Sequence, residues 1–103
     1  MTTYHIEITA QGYLHLDAAL ATTYFPTNLL IALVRPPELW LLPTRGPEAG
    51  GLLLKQRNAR GDRSVVIWEV LPPQTKPGVR PAFWDEQRGA LRALLQEPPH
   101  APG

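Results

Sequence analysis

The chain has 103 residues, a net charge of +1 and no cysteine. This length suits one domain with a modest core, and the small net charge argues against a general binder of polyanions. The lack of cysteine excludes disulfides, thiolate metal sites, iron–sulfur clusters and cysteine nucleophiles, and it favours a reducing, cytoplasmic location.

The first predicted element is a hairpin close to the N-terminus. Two short runs alternate apolar and polar side chains, as half-buried strands do. Pairing Ile8 with Leu14 leaves a three-residue loop that ends at Gly12, the position that needs a left-handed backbone. The same register places Glu7 opposite His15 on the polar face.

A short helix is predicted after Asp17, over residues 18–24. Aspartate is a favoured N-cap, and Pro26 ends the segment because the residue before a proline is pushed out of helical angles. A buried strand over residues 28–34 follows. After a proline turn, a second strand returns over residues 39–43.

A second hairpin is predicted in the stretch from residue 50 to residue 71. Pairing Leu54 with Val66 leaves another three-residue loop, which ends at Gly61, and places Arg57 opposite a second arginine. The side chains expected to point into the core are Leu52, Leu54, Val66 and Trp68. The other face is apolar too, so we expect it to be covered by the first sheet, the C-terminal segment or a second copy of the chain.

The C-terminal third is predicted to begin with an extended, proline-rich connector over residues 71–81. Residues 82–95 fit either a helix weakened by a glycine or a hairpin that turns near residues 87–89, and the helix is favoured. Residues 96–103 are expected to be a disordered tail. Residues 1–95 would then form a single compact domain.

These elements predict a mainly β or α+β fold. Its small antiparallel sheet or barrel would be curled from hairpins, with one short helix after Asp17 and, as an option, a C-terminal helix. Trp40 and Trp68 lie in apolar strands and are expected in the core. The longest apolar run, residues 29–34, is far too short to cross a bilayer, so we expect no membrane association.

Residues 12–43, "GYLHLDAALATTYFPTNLLIALVRPPELWLLP", resemble the repeat of the AbrB and MraZ swapped-hairpin transcription factors. The matching positions are Gly12, Leu14, Leu16, Leu20, Leu30, Leu39 and Leu41. The resemblance implies a DNA-binding regulator. Members of that family usually have a proline where Asp17 stands and basic residues on the helix, so a shared fold would carry its DNA-binding face elsewhere.

Residues 50–71, "GGLLLKQRNARGDRSVVIWEVL", are similar to small uncharacterised proteins encoded beside uptake hydrogenases. This second resemblance implies an accessory or assembly protein. It assigns no role to individual residues.

The tip of the second hairpin is the first candidate binding site. It carries Lys55, Arg57, Arg60 and Arg63 against one acid, Asp62. Guanidinium groups suit phosphates and acidic protein surfaces. The alternative is a solvated hairpin end whose charges discourage edge pairing. No aromatic residues interleave with these charges, so a stacking platform for single strands is not expected.

Three polar residues of the first hairpin, His5, Glu7 and His15, share one face and form a second candidate, a metal site. Ordinary surface neighbours are the favoured interpretation, and no metal is assigned. Phe83 and Trp84 are candidate docking aromatics for a partner. The favoured alternative for Trp84 is that it folds back onto the second hairpin.

Catalytic groupings are sparse. Ser64 is the only serine and lacks a nucleophile elbow, and no glycine-rich phosphate loop is present. We therefore expect no enzymatic activity and no cofactor. The leading hypothesis is a non-catalytic interaction module, an accessory or assembly protein whose basic tip docks a protein partner, with homodimerisation an open option. The alternative is an AbrB-like DNA-binding regulator, although nucleic acid is the less favoured partner.

Overall fold

The computed structural model describes residues 2–45 and 51–95. Within these ranges the strands are β1 (Tyr4–Ile8), β2 (Tyr13–Leu16), β3 (Leu29–Arg35), β4 (Glu38–Pro43), β5 (Leu52–Leu53), β6 (Lys55–Gln56), β7 (Arg63–Val66), β8 (Gly78–Asp85) and β9 (Ala90–Leu94), and the helix is α1 (Ala18–Tyr24). The expected tail, residues 96–103, lies outside the described residues. Among the described residues, no helix combines the length and apolar character needed to span a membrane.

The nine strands of the described residues belong to one antiparallel sheet that curls back on itself. The strand order is β5-β3-β4-β9-β8-β1-β2-β7-β6, and the two edge strands, β5 and β6, are separated by Leu54 alone. One extended segment therefore pairs with β3 through its first half and with β7 through its second half. This brings the edges together and makes the sheet a nearly closed barrel, which confirms the predicted mainly β fold.

The core fills the inside of this curled sheet. Along β2 and β4 alternate residues point inward, Leu14 and Leu16 from the first and Leu39 and Leu41 from the second, and α1 adds Leu20 and Ala21 to the same cluster. The fully buried members include Leu14, Leu16, Leu30, Leu39, Leu41 and Leu91. Removal of this apolar surface from water is the main driving force for folding.

The first hairpin and the helix form as predicted. Ile8 pairs with Leu14 and Glu7 with His15. The helix runs from Ala18 to Tyr24, and the carboxylate of Asp17 accepts a hydrogen bond from the Leu20 amide at 2.7 Å. Here the hydrophobic alternation, the loop glycine and the N-cap all favour the same structure.

The second hairpin forms one residue out of the predicted register. Gln56, not Arg57, lies opposite Arg63. The loop also differs, because the Arg57 amide donates to the Asp62 carbonyl at 2.8 Å and four residues, 58–61, separate these two positions. The prediction that two arginines face each other across the strands is therefore wrong.

The register shift reverses the faces of β7, because side chains alternate along a strand. Val65 and Ile67 are buried, whereas Val66 and Trp68 are 43% and 59% exposed, so the predicted inward position of the latter two is wrong. Strand β2 supplies the physical reason, since it pairs Leu14 with Val65 and places both in the core. Leu54 points inward as predicted.

The C-terminal segment is a hairpin, so the favoured helix over residues 82–95 is wrong. Strands β8 and β9 pair Trp84 with Leu91 and Asp85 with Ala90. The Asp85 side chain accepts hydrogen bonds from the backbone amides of the turn. These strands also pair with β1 and β4, and this long-range pairing outweighs the local helical periodicity. The last part of the predicted connector, from Gly78, already belongs to β8.

Two glycines with left-handed backbones allow a test of how closely the first hairpin packs against Trp68. Gly12 has a φ of 87°, and a Cβ added there would overlap the Cβ of Trp68. Gly89 has a φ of 61°, and an added Cβ would meet no atom within 4 Å. We expect Gly89→Ala to cost about 1 kcal/mol of unfolding free energy through backbone strain alone. Gly12→Ala should cost about 3 kcal/mol, because the overlap adds to the strain.

Urea unfolding of the two variants and the wild type measures this difference. Equal losses for the two alanine variants would contradict the close approach of Gly12 to Trp68.

Candidate functional site

The basic tip is Lys55, Arg57, Arg60 and Arg63, and it surrounds a loop that side-chain hydrogen bonds hold closed. The Asn58 amide donates to the Asp62 carboxylate at 2.8 Å, and the Asp62 backbone amide donates to the Asn58 side chain at 3.1 Å. These two side chains therefore hold the ends of the loop together.

Asp62 also ties the loop to the helix. Its second carboxylate oxygen accepts a hydrogen bond from the Ala18 backbone amide at 2.9 Å, in the first turn of α1. The hydrogen bonds from Asn58 and Ala18, and then the charges of Arg60 and Arg57, lower the pKa of Asp62 from its usual 3.8. The loop therefore has a fixed position relative to the barrel, and its carboxylate stays ionised at neutral pH.

The four cations of the basic tip have different roles. Lys55 and Arg57 are exposed. The Arg60 side chain is 79% exposed and forms an ion pair with Asp62 at 3.1 Å. Arg63 instead points back into the structure, where its guanidinium donates to the Asn28 side chain at 3.1 Å and to the Gly61 carbonyl. The structure thus leaves three cations at the surface and uses the fourth to hold the fold.

Beside the loop lies an open cleft of about 200 Å³ between β1, β2 and the start of α1. Its polar lining residues are His5, Glu7, His15, Asp17, Arg57 and Asp62. The cleft joins the histidine cluster of the first hairpin to the basic tip of the second. These two features are distant in the sequence, and the pairing of β2 with β7 brings them together.

His15 lies between groups of opposite charge. Its Nδ1 atom is 3.3 Å from a carboxylate oxygen of Glu7 and 3.3 Å from a guanidinium nitrogen of Arg57. One imidazole nitrogen can donate to the carboxylate or accept from the guanidinium, but not both at once.

A metal site in this cleft is not supported. Within residues 2–45 and 51–95, no group of three or more histidine, aspartate or glutamate side chains is placed to hold a metal ion. Of the three residues considered, Glu7 and His15 form a single close pair, and His5 lines the same cleft.

Phe83, one of the candidate docking aromatics, lies in a layered cluster on the outside of the sheet. The Arg92 guanidinium lies 4.9 Å from the Phe83 ring centre and 4.7 Å from that of Trp40. It also pairs with Glu38 and Asp85 at 2.7 and 2.8 Å. Trp40 is therefore half-buried beneath the Arg92 guanidinium, and the prediction that it lies in the core is wrong.

Trp84, the second candidate aromatic, packs against the helix. Its ring stacks on that of Tyr24 with centroids 4.3 Å apart, and the Tyr24 hydroxyl lies 2.7 Å from the Tyr4 hydroxyl. This hydrogen bond and burial raise the pKa of Tyr24 to about 12. Trp84 thus packs against α1, whereas the sequence favours packing against the second hairpin.

Arg80 is a structural residue that the sequence pattern does not indicate. It is 1% exposed, and its guanidinium donates to the backbone carbonyls of Leu95, at 3.1 Å, and of Lys76. It therefore fixes the end of the proline-rich connector to the residue that follows β9. The sequence predicts a connector over residues 71–81, which includes Arg80. The strand alternation that places Arg80 inward is therefore not predicted.

Comparisons of the chain with protein-family models, with curated proteins and with solved structures give no significant match.

The hydrogen bonds of Asp62 predict a pH-dependent contribution to stability. Because its pKa is lowered in the folded protein, the carboxylate contributes fully above its usual value of 3.8, and the contribution disappears as pH falls through the lower folded value. We expect Asp62→Asn to lower the urea midpoint at pH 7 and to have a smaller effect near pH 3.

The matched control is Glu69→Gln, at an exposed carboxylate in a turn. It should leave the midpoint unchanged at neutral pH. An Asp62→Asn effect of the same size at both pH values would show that the carboxylate charge is not involved.

Proposed function

We propose that the protein is a non-catalytic interaction module, an accessory or assembly protein that binds an acidic surface of a larger partner. The binding residues are Lys55, Arg57 and Arg60. The observation that carries the proposal is the exposure of these three cations around a loop whose only carboxylate, Asp62, is already engaged by Asn58 and Ala18.

The rigidity of the loop supports this function. Binding costs free energy when loops must become ordered, and a loop fixed in advance lowers that cost. Here Asp62 connects the loop to α1, and Arg63 connects it to Asn28. The exposed arginines are thus presented from a fixed base, and each guanidinium can form a two-pronged pair with a carboxylate.

Charge distribution favours an acidic protein over duplex DNA. A typical DNA-binding protein makes on the order of 6–10 phosphate contacts, whereas the basic tip offers three exposed cations. Helix α1, with sequence AALATTY, has no basic side chain. DNA binding is therefore the less favoured alternative, and the charge-reversal experiment described next distinguishes it from binding to a protein.

Reversal of the surface charges tests the proposal. We expect the combined variant Lys55→Glu, Arg57→Glu and Arg60→Glu to lose the partner that the wild type captures from an extract of its host. Folding should be unaffected, because these side chains are exposed and Arg63 is left in place. The readouts are quantitative capture and the urea midpoint.

The control is the combined variant Arg45→Glu, Lys76→Glu and Arg88→Glu, which changes the net charge equally at exposed positions elsewhere. Equal capture by all three proteins would refute docking through the basic tip. A steep dependence of duplex DNA binding on salt, lost only in the tip variant, would favour the DNA-binding alternative.

A further inference from the structure

An exposed apolar patch lies on the outer face of β2 and β7. Tyr13 pairs directly with Val66, and the two are 40% and 43% exposed. Trp68, two residues further along, is 59% exposed. The base of Trp68 packs against Gly12, and the Ile67 amide donates to the Gly12 carbonyl at 2.9 Å. The tryptophan is therefore held at its base while much of its side chain faces solvent.

This patch is continuous with the basic tip. Ser64 lies on the same face of β7 as Val66, about 7 Å away along the strand. Ser64 pairs with His15 on one side and with Lys55 on the other. Followed along the hairpin, the outer face thus changes from apolar, through polar, to cationic.

The two ends of this face carry opposite charges. Lys55 and the exposed arginines lie at one end, whereas the exposed carboxylate of Glu69 directly follows Trp68 at the other. Acidic groups of a partner would be attracted to the first end and repelled from the second. Apolar groups of the partner would cover Trp68 and Val66.

We infer that this face, which extends the proposed basic tip, binds a partner segment with an acidic block next to a block of large apolar side chains. The inference rests on the proposed function and adds to it the apolar half of the interface. Tryptophan at the centre of a covered patch often supplies much of the binding energy of an interface.

Two labelled peptides test the inference. One has an acidic block followed by leucines, and the other has the same acidic block followed by serines. By fluorescence anisotropy, we expect the leucine peptide to bind about tenfold more tightly than the serine peptide, because leucine covers apolar surface. Trp68→Ser and Val66→Ser should each reduce this difference, whereas Leu33→Ser, at an apolar residue 38% exposed on β3, should preserve it.

The outcomes separate the two proposals. Equal affinities for the two peptides, or a leucine advantage that survives both Trp68→Ser and Val66→Ser, would overturn the inference. It would also be overturned if sedimentation showed a dimer that Trp68→Ser converts to a monomer, since a second copy would then cover the patch. In either case the proposed function would stand if charge reversal at Lys55, Arg57 and Arg60 still abolished binding of the serine peptide, and it would fail if that binding were unchanged.

Discussion

Asn28 and Leu54 make the contact on which the rest of the structure depends. The Leu54 backbone amide donates to the Asn28 carbonyl at 2.7 Å, at the single residue that separates β5 from β6. The Asn28 side chain accepts a hydrogen bond from Arg63 at the start of β7. Asn28 directly precedes β3. It therefore contacts the segment of residues 52–56 through its backbone carbonyl and β7 through its side chain. Its φ of 61° lies in the left-handed region, which asparagine tolerates better than most residues.

This closure determines where the functional groups lie. The segment from Leu52 to Gln56 pairs with β3 and then with β7, so the loop that follows it is placed beside the start of α1. Asp62 then reaches the Ala18 amide, and Arg57 reaches His15 across the cleft. The barrel thus supplies a rigid base, and the exposed cations and apolar side chains on its outer face are available for a partner. Removal of free sheet edges also limits unspecific strand pairing.

Local signals in the sequence determine the first hairpin, the helix and the overall β character. In these elements, alternation, loop glycine and N-cap agree, and the structure confirms them. The second hairpin could not be placed by the same reasoning because both of its faces are apolar, so its pattern accepts two registers. The pairing of Leu14 with Val65 selects between them, and that contact joins strands far apart in the sequence.

The C-terminal hairpin and the candidate site show the same dependence on long-range contacts. Residues 82–95 have a helical periodicity, yet pairing with β1 and β4 makes them strands. The basic residues of the tip could be found from the sequence, but the inward role of Arg63 depends on Asn28, to which it is not adjacent. The exposed position of Trp68 follows from the register shift.

Native-state hydrogen exchange at the Leu54 amide tests the closure of the barrel most directly. If Leu54 closes the sheet, its amide should exchange only through global unfolding, with the same protection as the Leu41 amide in the core. Exchange of the Leu54 amide at the rate of an unstructured peptide, while Leu41 stays protected, would show that the barrel is open at this point and would contradict the account.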